Sequence, residues 1–515
     1  MNTIRNIASV SLPTLFSRIL GLGRDVLIFA ALGASLWNSA FILAFTIPNL
    51  FRRLLGEGAL TSAFVPIFSA LSEKGSQKAA FAFLNRVLLR VFWILIILVV
   101  SLIAVLKLLE GVSVLPENWE ISNRLAVWLM PYTLCICLAA LITAALNVMG
   151  RFFVAASTPI ILNITMIGSL ACGIFLTESL AVRVYWLCGG VLLGGFFQFL
   201  IPYLDLKQLN WKFRAEPTNK AQLAELWSLF LPGLLGAAVL QINILVSRIL
   251  AYNFNESGAA LLYAAGRLME LPLGVFVFAI TSVFFPKMAR ALASGSELDF
   301  KQSFQQGFLL IIAITIPAGL GLSILAQPIM ISLFQWGAFT LEDVKATTPL
   351  VIIYGLGLPF YSLAMYATRG LHAGKSMRAP VRAALVCLFI NLFLALALMP
   401  VLGIAGLALS NVLAAAVQFI LLTGAVKKRH ALVQIVSLVE PVLKVGIAAL
   451  GMAFVCWGSL HLVASFGFNS KQNAILSVLT IVPMGAILYG VLLYFLRFEG
   501  LSELRKLVAS VIEKR

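Results

Sequence analysis

Charge is scarce in this chain, and acid is scarcer than base. Of 515 residues only 11% are charged, with 37 Lys and Arg against 20 Asp and Glu. A soluble globular domain is charged at about a quarter of its positions, so a soluble fold is excluded. Only three histidines occur, His372, His430 and His461, and they lie far apart with no ligand cluster. The six cysteines (Cys135, Cys137, Cys172, Cys188, Cys387, Cys456) all fall in apolar segments. Cys135-x-Cys137 is not a metal spacing, and the six read as small buried hydrophobes. No GxGxxG, Walker or HExxH pattern stands in the context its chemistry needs. No cofactor, no metal and no catalytic residue is therefore expected, and the chain is not expected to be an enzyme.

Long apolar runs are what the chain has instead. Hydrophobic residues make up 61% and mean hydropathy is +1.02. A helical span needs about 20 apolar residues. Fourteen runs qualify, near 8–33, 37–66, 88–109, 125–148, 157–178, 183–204, 224–249, 259–286, 305–327, 346–369, 382–400, 404–425, 437–460 and 474–496. The second and eighth are the least regular. A transmembrane barrel would show short alternating segments. The fold class is an all-α polytopic membrane protein. Met1 to Ser9 holds one Arg and no cleavage pattern, so the first run reads as a retained span.

The net charge of +17 is spread over short loops, which fits the positive-inside rule better than nucleic acid. Loops after even-numbered spans, with the tails and Arg151, hold about 26 Lys/Arg, and the opposite loops about five. Both termini are therefore expected in the cytoplasm. In the tail, Leu501, Leu504, Val508 and Val511 recur at helical spacing, the pattern of an amphipathic helix on the inner leaflet.

Six arginines break the apolar runs: Arg18, Arg24, Arg52, Arg53, Arg248 and Arg267. Only Asp25, Glu57 and Glu270 oppose them. A charge at the bilayer centre costs about 2.5–3.5 kcal/mol, so a surplus of arginine must face water or a polyanion. Arg18, Arg24, Arg52 and Arg267 are read as converging on a central cavity for a multiply negative substrate, because guanidinium grips phosphate bidentately. Ser17, Asp25, Asn49, Arg53, Glu57 and Glu270 are read as supporting or gating groups. Arg53 and Glu57 stand at i,i+4 and Arg267 and Glu270 at i,i+3, spacings at which side chains on a helix meet. Arg248, near a span end, reads as interfacial.

An internal repeat runs through the chain. Ala59-Leu-Thr-Ser-Ala-Phe-Val-Pro66 matches Ala279-Ile-Thr-Ser-Val-Phe-Phe-Pro286 at an offset of 220, and Gly75 and Gly295 keep the register. Two six-helix halves in the same orientation are a transporter signature. Boundaries are read as 1–215 for the first lobe, 216–430 for the second, and 431–515 for two extra spans and the tail.

Four segments carry a specific resemblance: SRILGLGRD, PNLFRRLLGEGALTSAFVPIFS, YAAGRLMELPLGVFVFAITSVFFPKMA and LFQWGAFTLEDV. Together they resemble the lipid II flippase family (MurJ/MviN), part of the multidrug/oligosaccharidyl-lipid/polysaccharide exporter superfamily. The likeness runs over nearly the whole chain. It implies fourteen helices, two six-helix lobes in a V about a central cavity, and two C-terminal helices forming a groove for a lipid tail. It implies alternating-access transport of the undecaprenyl-diphosphate-linked peptidoglycan precursor from the cytoplasmic to the periplasmic leaflet of a bacterial inner membrane. Membrane lipids are then the only other partner indicated. The family's cavity arginines fall on Arg18, Arg24, Arg52 and Arg267, and its motif carboxylates on Glu57 and Glu270. The chain departs from the family at Ser39, Thr46 and Gly266, where many members carry Asp, Lys and Asp. Gating or ion coupling that needs those groups is not expected here. Nor is a sodium site in the second lobe, since spans 7, 11 and 12 hold no acid beyond Glu225. In the groove, Gly446 and Ala449, at i,i+3, are the first candidates to face the tail. The alternatives are export of another lipid-linked oligosaccharide or a drug, and a membrane-embedded glycosyl or acyl transferase. Against the transferase stand loops too short to hold a cluster of His, Asp or Glu.

Overall fold

The computed structural model describes residues 2–56, 58–74, 77–111, 116–214, 220–431, 433, 438–465 and 468–500. The described residues form helices and connecting turns, with no strand among them. The chain divides into two compact units, one Met1–Ala260 with Trp336–Phe339, the other Leu261–Gln335 with Thr340–Arg515.

The first unit begins with α1 (Asn2–Leu32), α2 (Leu36–Phe51), a five-residue π segment π1 (Arg52–Gly56) and α3 (Ala59–Lys74). It continues through α4 (Gln77–Gly111), α5 (Glu117–Val148), α6 (Phe152–Leu176), α7 (Leu180–Lys207) and α8 (Lys220–Phe254). Helix α8, which follows the lobe boundary read from the sequence, packs against α2 and α3 of this unit. The Ser35 hydroxyl caps α2 by accepting the Asn38 N–H.

The second unit holds most of α9 (Gly258–Pro272), then π2 (Leu273–Val277), α10 (Phe278–Ala293), α11 (Glu297–Ile324) and the short α12 (Ala326–Phe334). After it come α13 (Leu341–Ala373), α14 (Arg378–Leu402), α15 (Ile404–Arg429), α16 (Val439–Ala464) and α17 (Ser470–Phe495). Capping boxes start α13 at Thr340/Asp343 and α17 at Asn469/Gln472.

Counting α2–π1–α3 and α9–π2–α10 as one span each, thirteen helical stretches among the described residues are long and apolar enough to cross a membrane. The remaining expected span is α1. Its length suffices, and its composition sets it apart, because Arg18, Arg24 and Asp25 sit inside it. Exposed apolar side chains such as Phe175, Phe393, Val401 and Phe495 cover the outer helix faces, as lipid contact requires. Tail residues 501–515, where the amphipathic helix is expected, lie outside the described residues.

The repeat read from the sequence has a structural counterpart. π1 starts at Arg52 and π2 at Leu273, 221 residues apart (273 − 52), within one residue of the sequence offset. α4 and α11 start at Gln77 and Glu297, at the offset itself (297 − 77 = 220). π segments are rare and concentrate at functional positions. Their recurrence explains why the second and eighth runs look least regular. At the end of π1, Gly58 has no room for a side chain, because a Cβ there would stand 2.4 Å from the Arg53 carbonyl oxygen.

With no water to drive association inside a bilayer, close backbone approach at small residues does much of the packing. In the first unit Gly190 and Gly194 of α7 lie against Thr165 of α6, and Gly195 lies against Tyr132 of α5. In the second, Gly319 of α11 meets Gly355 of α13. Helices α16 and α17 lie on the far side of α11, where the Tyr489 hydroxyl donates to the Ala313 carbonyl at 2.7 Å. This placement corrects the expected groove pair. Ala449 is fully buried in the core around α11, while a side chain at Gly446 would meet open space. The two do not share an open face.

The Gly319–Gly355 contact is directly testable. A Cβ at Gly319 would stand 2.3 Å from the Gly355 carbonyl oxygen, whereas one at Gly321 on the same helix meets nothing within 4 Å. Gly319→Leu should cost at least about 1–3 kcal/mol by overpacking and lower the thermal midpoint in detergent. Gly321→Leu should not. Equal midpoints for the two variants would show that the contact does not hold α11 to α13.

Candidate functional site

The charged side chains of the first unit are held in different ways. Helix α1 carries Arg24 and Asp25. The Arg24 guanidinium donates from Nε and Nη2 to Asp25 Oδ1 at 3.0 and 2.7 Å, and from Nη1 to Asn163 Oδ1 of α6 at 3.0 Å. Asp25 is fully buried and Arg24 is 12% exposed. Asn163 also donates from Nδ2 to the Ser17 carbonyl oxygen at 3.0 Å. One amide thus ties two turns of α1 to α6 and orients Arg24. Taking two charges out of water costs several kcal/mol each, offset only when the pair is well formed and its other donors are satisfied. The Asp25 and Asn163 contacts meet that condition.

Arg18, by contrast, is exposed and makes no hydrogen bond or ion pair among the described residues. Arg52, the first residue of π1, is half-buried and donates from Nε to Asn49 Oδ1 at 3.1 Å. Arg53 is exposed. Glu57 lies outside the described residues, and so does the pairing expected between them.

Arg248 differs from its sequence reading. It is half-buried on α8, and its Nη1 donates to Thr46 Oγ1 on α2, while Thr46 donates on to the Ile42 carbonyl at 2.6 Å. The guanidinium therefore packs against α2 instead of reaching for the interface. The other two departures also have clear settings. Ser39 is fully buried, and its hydroxyl oxygen accepts the N–H of Ala260 at the start of α9 at 3.2 Å. Gly266 faces open space, so the missing side chain there is not a steric requirement.

In the second unit Arg267 pairs with Glu270 at 2.7 Å, at the i,i+3 spacing expected. Its guanidinium also lies over the Tyr263 ring at 5.7 Å, a cation–π distance. Arg267 is 28% and Glu270 50% exposed, so the pair is reachable by water.

Sequence reasoning missed Asn163, Thr46 and Tyr263 as partners of these arginines. The available signal for Asn163 was a lone amide in the apolar run FFVAASTPIILNITMIG. Among the described residues no group of three or more His, Cys, Asp or Glu is close enough to hold a metal ion. Chemically the site offers oriented guanidinium groups, the donors best matched to phosphate oxygens.

Asp25 should be the stability-critical member of this set. Asp25→Ala removes one partner of a buried pair and should cost about 3–5 kcal/mol, read as a fall in thermal midpoint of the purified protein. The double variant Asp25→Ala/Arg24→Leu should recover part of that loss. A double variant no more stable than the single one would mean that the pair is not what holds α1.

Comparison with known proteins agrees with this geometry. The family model described as "Lipid II flippase MurJ" matches residues 28–476. A probable lipid II flippase MurJ of Bdellovibrio bacteriovorus is 32% identical over 501 residues, covering 96% of this chain and 94% of that protein. The lipid II flippase MurJ of Burkholderia cenocepacia is 28% identical, covering 96% of each. Among solved structures, a lipid II flippase MurJ in an inward closed conformation aligns with a TM-score of 0.78 at 27% identity, covering 95% of this chain and 98% of that one. An inward-facing multidrug resistance MATE transporter aligns at 0.67 with 14% identity over 83% of this chain and 98% of its own, a likeness of fold alone. With the match spanning most of its length, the chain belongs to the lipid II flippase MurJ family.

Proposed function

We propose that this protein carries lipid II, the diphosphate-linked peptidoglycan precursor, from the cytoplasmic to the periplasmic leaflet of the bacterial inner membrane by alternating access. The observation that carries the reading is the set of arginines on membrane-spanning helices of a chain in this family. Arg18, Arg24 and Arg52 in the first unit and Arg267 in the second are the proposed contacts for the diphosphate.

The four have unequal parts. Arg24, locked by Asp25 and Asn163, supplies a fixed direction for a phosphate to approach. Arg18, without a partner among the described residues, supplies charge that the substrate can neutralise. Arg52 and Arg267 each sit beside a second polar group, Asn49 and Glu270. Glu270 competes with an incoming anion for Arg267 and so favours release over tight retention. Binding must stay reversible, because a substrate held too tightly ends turnover. The transport needs no covalent step, in keeping with a role that is not enzymatic. Ser17, Asp25, Asn49, Arg53 and Glu57 are proposed as supporting groups. The lobe boundaries at 215/216 and 430/431 are kept as the functional division, with 431–515 serving the lipid tail.

Reconstituted vesicles loaded with lipid II on one leaflet test this directly. Arg18→Ala, Arg52→Ala and Arg267→Ala should each lower the flipping rate by about 10- to 100-fold, the worth of one lost charged hydrogen bond. Lys at the same positions should restore only part of it, since it offers a point charge and not a fork. Wild-type rates in all three Ala variants would overturn the assignment of these arginines.

Orientation has its own test. Both termini are proposed to be cytoplasmic from the loop charges. In a variant lacking its native cysteines, Ser179→Cys between α6 and α7 should react with an impermeant maleimide from outside intact cells. Ser294→Cys, after α10, should react only once the cells are opened. The opposite pattern would invert the topology.

A further inference from the structure

The first unit carries a second basic site that the arginine set above does not include. Near the start of α4, Arg86 and Arg90 stand one helical turn apart, the i,i+4 spacing that puts both on one face. With Leu89, Trp93 and Ile94 of α4 and Trp227 of α8 they line an open cleft of about 400 Å³. Neither arginine makes a hydrogen bond or ion pair among the described residues. Trp93 is 57% exposed and Ile94 46% exposed, so the floor of the cleft is apolar and uncovered.

The repeat shows that this face is special to the first half. α4 and α11 begin 220 residues apart (297 − 77), which sets Arg86 against Gln306, Arg90 against Leu310 and Trp93 against Ala313. Leu310 and Ala313 are buried, at 2% and 1% exposure. Helices α16 and α17 cover that side of α11, and Tyr489 bonds the Ala313 carbonyl. In the second half, protein occupies the apolar face. In the first half, the equivalent face carries two cations and is left open.

We propose that the Arg86–Arg90 cleft is a binding site for an anionic membrane phospholipid. The two guanidinium groups would hold the headgroup phosphate. The acyl chains would lie along Trp93 and Ile94, where α16 and α17 lie on α11. Three features favour a lipid over other occupants. The arginines stand at the edge of an apolar run, where headgroups lie. Tryptophan is the residue of the membrane interface. Basic pockets between membrane helices are a recurring setting for anionic headgroups. Glu225, two residues before Trp227 and exposed, disfavours anions in general, so the apolar floor must contribute to the selection. The site rests on the membrane-spanning fold and not on the proposed transport.

Native mass spectrometry of the full-length protein in detergent provides the test, with dioleoyl-phosphatidylglycerol, dioleoyl-phosphatidylcholine and inorganic phosphate as separate probes. The tightest phosphatidylglycerol adduct should bind at least about tenfold more strongly than phosphatidylcholine, given about 1 kcal/mol per basic residue near a headgroup. Arg86→Gln/Arg90→Gln should lose about that tenfold preference. Trp93→Ala, which keeps both charges, should lose several-fold and so reports on the site even if the Gln pair folds poorly. Arg378→Gln/Arg382→Gln removes an equally spaced exposed pair from α14 and should leave the tightest adduct unchanged. An unaltered preference in the Arg86/Arg90 or Trp93 variants, or an equal loss in the α14 control, would overturn the proposal. So would inorganic phosphate displacing the lipid at equal concentration, which would make the cleft a free-anion site.

Discussion

The constraint on which the rest depends is the cost of arginine inside a bilayer. Each guanidinium in an apolar run must be neutralised, hydrated or bound, and the chain uses a different solution at each position. Arg24 is neutralised by its neighbour Asp25 and steadied by Asn163. Arg248 is absorbed by a hydroxyl on α2. Arg267 shares Glu270 and the face of Tyr263. Arg18 stays exposed. The packing of α1 on α6 follows from the first of these solutions, because Asn163 binds the backbone of α1 with one end of its amide and the guanidinium with the other.

Much of this was legible in the sequence, and the boundary of legibility has a physical basis. Spans are visible because a bilayer demands length and apolarity from contiguous residues. The repeat was visible because Thr-Ser and Pro stand out in apolar text. The Arg267–Glu270 pair was visible because helical spacing alone brings the two together. What stayed hidden depends on neighbours remote in sequence. Thr46 and Arg248 are 202 residues apart, and Asn163 lies 139 from Arg24, so no local spacing could join them. Ala449 was misread for the same reason. Its small side chain is compatible with an open groove or with close packing, and only the placement of α16 on α11 decides for packing.

The two halves also show what a duplicated scaffold leaves free to diverge. Shared features concern backbone geometry: the π segments, the starts of α4 and α11, the proline that follows Thr-Ser. Side chains on the outer faces differ. The face of α11 that holds Leu310 and Ala313 is sealed by two added helices, and the matching face of α4 carries Arg86, Arg90 and Trp93. An outer face in a membrane meets either protein or lipid, and the choice is written in whether its residues are small and apolar or basic and aromatic.

The paired π segments bear on how this chain tolerates insertion and deletion. A π turn accommodates one more residue than the α turn it interrupts, and each α-helical residue advances the helix by about 100°. Losing one residue from Arg52–Gly56 would let that stretch wind as α-helix, and the whole of α3 would then rotate by about that angle relative to α2. Phe64 and Phe68, both fully buried, would swing out of the core, and exposed Ser62 and Pro66 would swing toward it. The same holds for Leu273–Val277 and the buried Ile280, Phe284 and Met288 of α10. Length in these two five-residue stretches is therefore under tighter constraint than residue identity, the reverse of what holds in a surface loop.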